Sequence, residues 1–397
     1  MKRTILLLSF LLLFFAATPV TWAQDSLITS LARKNVTTFT KQAGTFSGSG
    51  WEKIINTANA SNDVLIGEDH FTNEIPYFTS AIASKIKFDN FFCEIDPFTA
   101  GILQQKISRL SPIALQQYVN TYGNTFSFYA FAPEFELLKQ FTKSNTIIRG
   151  TDQILLIGDR VICSELQKTT KNKEAMEIYK LIADSSRSYF DNFLKDQRKP
   201  YYLLTDSFAK HIDQLSKLSL SKEEIKIIDA LKMSAKIYSS QSHQLRVQLM
   251  KHQLMETYTN WSGKRNLFKY GANHLARGEI FPDVYDTGNL VASINDASYK
   301  NSLHIMILGI SGTHASPFEG FPAENIDSNS SLFKALKPIT KIVDDERWYC
   351  FDLLPVRKEL EEGRLKVTSI KLQRIIKGYD LLVIVPKVSA AKFAKKQ

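Results

Sequence analysis

Cysteine is scarce in this sequence. The 397 residues contain three, Cys93, Cys163 and Cys350, too few and too scattered for a disulfide framework or a thiolate zinc site. Cys93 and Cys350 lie inside apolar, strand-like runs, where a small buried thiol is the usual occupant; a single disulfide pair in an oxidising compartment is left open. After the first two dozen residues there is no charge-free apolar run long enough to cross a bilayer, which excludes an internal transmembrane span. Internal repeats and low-complexity linkers are missing. No nucleic-acid module is recognisable either, although the formal net charge is +10. Lysine and arginine are interleaved with acids, and the one dense basic cluster is Lys392, Lys395 and Lys396, so the charge reads as a solvated basic surface with no nucleic-acid partner.

What is present begins with a targeting segment. Lys2 and Arg3 precede an apolar run over residues 5–17, followed by Pro19 and the small-residue approach Thr21-Trp22-Ala23. This is the layout of a secretory signal peptide cleaved after Ala23, with an uncleaved membrane anchor as the rival reading. No cysteine stands at the cleavage site for lipid attachment. The expected product is exported, secreted or periplasmic, and large enough for one elaborated domain or two.

The remaining chain alternates strand and helix signals. Residues 24–60 read as a polar start, a Ser47-Gly48-Ser49-Gly50 break and a helix over 51–58. Residues 64–70, Val-Leu-Ile-Gly-Glu-Asp-His, read as a buried strand ending at His70, so that the chain leaves the sheet and at once presents proton-handling side chains. Residues 90–95 form a second apolar strand carrying Glu94, a carboxylate whose burial is costly unless it is paired or used. Asp96 before Pro97 has the form of a helix-initiating residue. Residues 146–152 repeat strand, glycine and acid, ending at Asp152. Strands separated by helices predict an α/β fold with a central, mostly parallel sheet flanked by helices, and loops at its carboxyl edge that bring distant residues together.

Between residues 161 and 262 strand signals vanish and amphipathic helices take over. Ser221 and Glu224 fit a capping box, Leu220 and Ile225 a hydrophobic staple, and Ile225, Ile228, Leu231, Ala235 and Tyr238 mark the expected buried face. Such an insertion is a natural cap over a strand-edge site. His252, farther along, reads as a surface-facing helical histidine. Strand signals resume at 266–270, followed by Gly271-Ala272-Asn273-His274, and continue at 302–309, 347–353 and 379–385, with helical stretches at 331–334 and 356–362 between them. The expected divisions are thus a signal peptide at 1–23, an N-terminal half of the α/β core at 24–160, the helical cap at 161–262 and the C-terminal half at 263–397.

Two strand-terminal Gly-x-x-His elements, Gly67 to His70 and Gly271 to His274, with an acid on an intervening strand, are more specific than either alone. Here the chain resembles the superfamily that joins erythromycin esterases, the Tiki/TraB proteases and the ChaN-like haem-binding proteins. Gly67-Glu68-Asp69-His70 looks like the first motif, Glu94 like the second-strand acid, Gly150-Thr151-Asp152 like the esterase Gly-x-Asp, and Gly271-Ala272-Asn273-His274 like the second histidine motif. Arg246 with Met250 is similar to an esterase helix motif, and Tyr379-Asp380-Leu381-Leu382 to the closing strand. The single residue between Glu68 and His70 is closer to the ChaN-like and Tiki branches, whereas the helical insertion and Gly-x-Asp element are closer to the esterases.

The resemblance implies a hydrolase acting on an ester, lactone or amide of a small-molecule substrate, with Glu68, His70, Glu94 and His274 as catalytic candidates. His70 would act as general base on water, Glu68 would orient its imidazole and Glu94 would position the water. His274 would polarise the oxyanion or protonate the leaving group, and Arg246 with Asp152 would bind substrate. The esterase branch implies no cofactor. The Tiki branch implies a metal-dependent peptidase with a divalent metal on His70, Glu94 and His274, and the ChaN branch implies haem or another ligand.

Overall fold

The computed structural model describes residues 24–42, 44–280, 283–344 and 346–395. The signal-like segment 1–23 and Lys396 of the basic tail lie outside the described residues. The fold is α/β with a mostly parallel sheet flanked by helices, as the alternation of signals predicts. No helix among the described residues is long and apolar enough to cross a membrane. The chain divides into two compact units, each assembled from separate stretches.

In the first unit the main sheet runs in the order Thr45–Ser47, Val36–Gln42, Trp348–Asp352, Leu381–Val385, Ser302–Gly309 and Asp63–Glu68. The first three pairings are antiparallel and the last two parallel. Asp63–Glu68, Ser302–Gly309 and Leu381–Val385 are buried along their whole length, which is why each reads as a continuous apolar run rather than an alternating one. Met306, Leu308, Phe351, Ile376 and Ile384 are among the side chains that close the core on one face. Residues 36–42 are a strand where a polar start was expected. Val-Thr-Thr-Phe-Thr is β-branched and aromatic, and of its seven residues only Phe39 is buried, so the strand is held by pairing with Trp348–Asp352 rather than by a hydrophobic period.

The second unit carries the parallel strands Asn266–Gly271, Asn90–Cys93 and Ile147–Gly150, in that order. Phe92 and Phe268 stack across adjacent strands with ring centroids 4.4 Å apart. Between Ile147–Gly150 and Asn266–Gly271 the chain is helical, from Asp159–Thr169 through Lys173–Lys195, Asp206–Ser216, Lys222–Ser240 and His243–Glu256 to Tyr258–Trp261. The Ser221 and Glu224 capping box is present in both directions. The buried face of that helix is rotated from the expected one. Ile227, Ile228, Leu231, Ser234 and Ile237 point inward and Ile225 is 48% exposed, because the adjacent isoleucines at 227 and 228 leave the period ambiguous by one residue. His252 is exposed, as expected. Cys93, Cys163 and Cys350 are free and buried.

His304 illustrates how the first unit treats a buried polar group. Its ring is fully buried on the Ser302–Gly309 strand, with Nδ1 2.7 Å from the Leu275 carbonyl and Nε2 3.1 Å from Ser302 Oγ. Burial, with the nearby Arg277 charge, pushes its pKa down from 6.5 to about 3, so the folded protein holds a neutral ring that the unfolded chain protonates below pH 6.5. The group therefore leaves stability unchanged above that pH and subtracts from it as the pH falls from 6.5 towards 3. His304→Gln is expected to flatten this acid limb. Measured by urea unfolding, its loss of stability between pH 7.5 and pH 4.5 should be smaller than that of the parent by roughly 2–3 kcal/mol.

Candidate active site

Three strand ends and one helix build a compact charged cluster within the second unit. Glu94 follows directly on Asn90–Cys93, where the expected strand over 90–95 stops early. The Ile95 amide bonds back to the Cys93 carbonyl at 2.9 Å, and this tight turn releases Glu94 from the ladder. Asp152 lies two residues beyond Ile147–Gly150, with its amide bonded to the Ile95 carbonyl at 2.9 Å. Gly150 is required for that approach, since a Cβ there would stand 2.3 Å from the Asp96 carbonyl oxygen. Asp96 itself caps the following helix, accepting the amides of Phe98 and Thr99, so it is the helix-initiating residue expected. Burial, and to a lesser degree the Asp152 charge, raise its pKa to about 6.

Arg246, on His243–Glu256, joins the two carboxylates. Its Nε and Nη2 donate to the two oxygens of Asp152 at 2.9 and 2.5 Å, and Nη2 also donates to Glu94 Oε1 at 2.6 Å. Burial alone would lower the guanidinium pKa, but Asp152 and Glu94 hold it well above its ordinary value. The other oxygen of Glu94 accepts the Gly271 amide at 2.6 Å. Both Glu94 oxygens thus carry N–H donors, and the carboxylate is fixed in place although it is 5% exposed.

His70 faces this fixed carboxylate, its Nε2 3.6 Å from Glu94 Oε2, near enough for charge and beyond a direct hydrogen bond. The expected strand end at His70 is at Glu68 instead, and Phe71 follows with φ 68°, so His70 sits on the turn rather than on the strand. Its ring stacks on Phe128, centroids 4.1 Å apart. A Cβ on Gly271 would lie 2.8 Å from His70 Nε2, so the glycine makes room for the imidazole. A cavity of about 420 Å³ opens beside Arg246, walled by Leu156, Tyr201, Ile237 and Tyr238, with His243 among its polar lining.

Within the first unit, Glu68 closes its strand as a buried residue and His274 belongs to the short helix Ala272–Leu275. The His274 Nδ1 lies 2.9 Å from Asp286 Oδ2, both side chains being almost fully buried. The other Asp286 oxygen accepts the amide and hydroxyl of Thr287 at 2.6 and 3.0 Å, starting the helix Thr287–Ala297. Burial would raise this carboxyl, but His274 and Thr287 hold it below the usual range. The ionised carboxylate holds a proton on His274 Nδ1. Asp286 and Phe128 are the partners that motif reasoning missed. Asp286-Thr287 offers only a cap signature, and nothing at 128 differs from an ordinary core phenylalanine.

Among the described residues, no three or more His, Cys, Asp and Glu side chains are grouped to hold a metal ion. The Arg246 guanidinium already neutralises Glu94 at 2.6 Å, a place where a divalent cation would compete with a fixed positive charge.

No protein-family model matches the chain, and no curated protein matches it by sequence. Solved structures do. The chain is similar to a succinoglycan biosynthesis protein at TM-score 0.56 and 12% identity, over 93% of this chain and 99% of that one. It is similar to a Bacillus cereus protein at TM-score 0.54 and 13% identity, over 94% and 99%. It is also similar to a mutant of the erythromycin esterase EreC in its open conformation, at TM-score 0.55 and 11% identity, over 85% and 93%. At such identities the likeness is one of fold, and the expected resemblance to the erythromycin esterases holds at that level.

Proposed function

We propose that the protein is an exported hydrolase that adds water to an ester, lactone or amide carbonyl of a small-molecule substrate without a metal or other cofactor. The observation that carries this reading is His70 Nε2 set beside a Glu94 carboxylate whose two oxygens are locked by Arg246 and the Gly271 amide. His70 takes a proton from water as the oxygen attacks the carbonyl carbon, and Glu94 stabilises the imidazolium so formed. The carbonyl electrons move to oxygen. The His70 imidazolium gives its proton to the departing oxygen or nitrogen as the C–O or C–N bond breaks, and His274, its Nδ1 paired with ionised Asp286, is proposed as a second acid–base residue. Arg246 is engaged by two carboxylates, so its first task is to hold Glu94 and Asp152, with the adjoining cavity taking the body of the substrate. Export rests on the signal-like layout of residues 1–23.

The test is a panel of aryl esters, lactones, macrolactones and amides incubated with the purified protein. Hydrolysis of at least one member is expected, unaffected by chelator, with kcat/KM lowered roughly 10²–10⁴-fold in His70→Ala. Activity lost to chelator, or activity that His70→Ala leaves intact, would sink the assignment.

A further inference from the structure

A groove of about 580 Å³ in the first unit is rimmed by Lys334, Lys337, Lys341 and Lys366, with Asp25 as its one acidic lining residue. Three of the lysines follow one another at helical spacing along and just past Ser331–Thr340, and all four are exposed. Among the described residues none of the four has an ion-pair partner, whereas Lys53, Lys106 and Lys226 are each paired with an acid. The floor is apolar, formed by the buried Ile28, Pro338 and Leu372. Beside it, Leu27, between the lining residues Ser26 and Ile28, is 38% exposed, and Ile370, next to the lining residue Ser369, is 64% exposed. Gln24 also lines the groove, its Oε1 accepting the Lys366 amide at 3.0 Å.

We infer that this face docks on an anionic phospholipid surface. Unpaired lysines around a concave rim attract lipid phosphates, each contributing roughly fivefold to partitioning. Charge alone would serve a soluble polyanion equally well. The exposed aliphatic residues distinguish the two, because Ile370 and Leu27 gain only where they enter the headgroup region of a bilayer. Docking at this face places the protein at the membrane it crosses on export, independently of its chemistry.

The exported protein would be sedimented with vesicles of phosphatidylcholine, alone or mixed with phosphatidylglycerol, and titrated separately with heparin as a soluble polyanion. Binding to the mixed vesicles only is expected, weakening as salt rises. Lys337→Glu with Lys341→Glu should lower partitioning at least about tenfold. Ile370→Ser should lower it about threefold without changing heparin binding. All these side chains are exposed, so the thermal midpoint should stay within about 2 °C of the parent. Equal partitioning to both vesicle types, or a charge-reversal effect on heparin in the absence of any vesicle binding, overturns the proposal.

Discussion

Replacing Arg246 by methionine is expected to cost about 3–5 kcal/mol of stability at pH 8 and to abolish hydrolysis. The stability loss follows from what remains. Glu94 and Asp152 are 5% and 6% exposed, and without the guanidinium both would face each other as buried carboxylates, with Asp96 nearby adding repulsion. Such a pair relaxes by binding a proton, which sets the sign of the pH dependence. In the variant the folded-state carboxylate pKa rises above its unfolded value, so stability present at low pH is lost as the pH climbs from about 4 towards that raised value. The deficit relative to the parent should be smallest near pH 5 and largest near pH 8 in urea unfolding. Removing the stranded charges should then restore the fold. Arg246→Met combined with Glu94→Gln and Asp152→Asn is expected to recover most of the lost stability and none of the activity. A triple variant that regains turnover would show that the cluster is a structural ion pair without a part in the chemistry.

Much of the framework was legible in the sequence, for a physical reason. A parallel strand buried on both faces is built mostly of apolar residues, so 302–309 and 381–385 stand out as largely apolar runs, and Glu94 and Asp152 stand out as acids where such runs end. Gly150 and Gly271 mark close approaches of backbone and side chain, and both fell inside motifs. The pairing itself was not legible. Arg246 meets Asp152 and Glu94 across 94 and 152 residues, a separation that no local period encodes. The strand at 36–42 escaped because its burial does not alternate, and the helix face at 222–240 was misplaced because two adjacent isoleucines fit two registers. Asp286 was hidden differently. One of its oxygens does the local work of a helix cap, which sequence can suggest, while the other meets a histidine twelve residues earlier.

That divided carboxylate makes Asp286→Asn the most informative second variant, with kcat/KM expected to fall roughly 10²–10⁴-fold while the fold persists. The asparagine oxygen can keep accepting the Thr287 amide, so the cap is retained. Its NH2 group then takes the place of Oδ2 opposite His274 Nδ1, and a donor there forces the ring to offer its lone pair at Nδ1 and carry the proton on Nε2. The imidazole would keep its position and lose both its Nδ1 proton and the ionised partner that favours its charged, acidic form. A purely structural role for the pair moves stability and leaves turnover nearly untouched. A role in proton transfer does the reverse, so the two are separated by measuring the unfolding midpoint and the pH profile of kcat/KM on the same samples. His274→Ala adds the decisive comparison. If Asp286 acts only through His274, the double variant should be no slower than His274→Ala alone, because residues that act as a unit are not additive. A double variant slower by a further tenfold would mean that Asp286 reaches the reaction by another route.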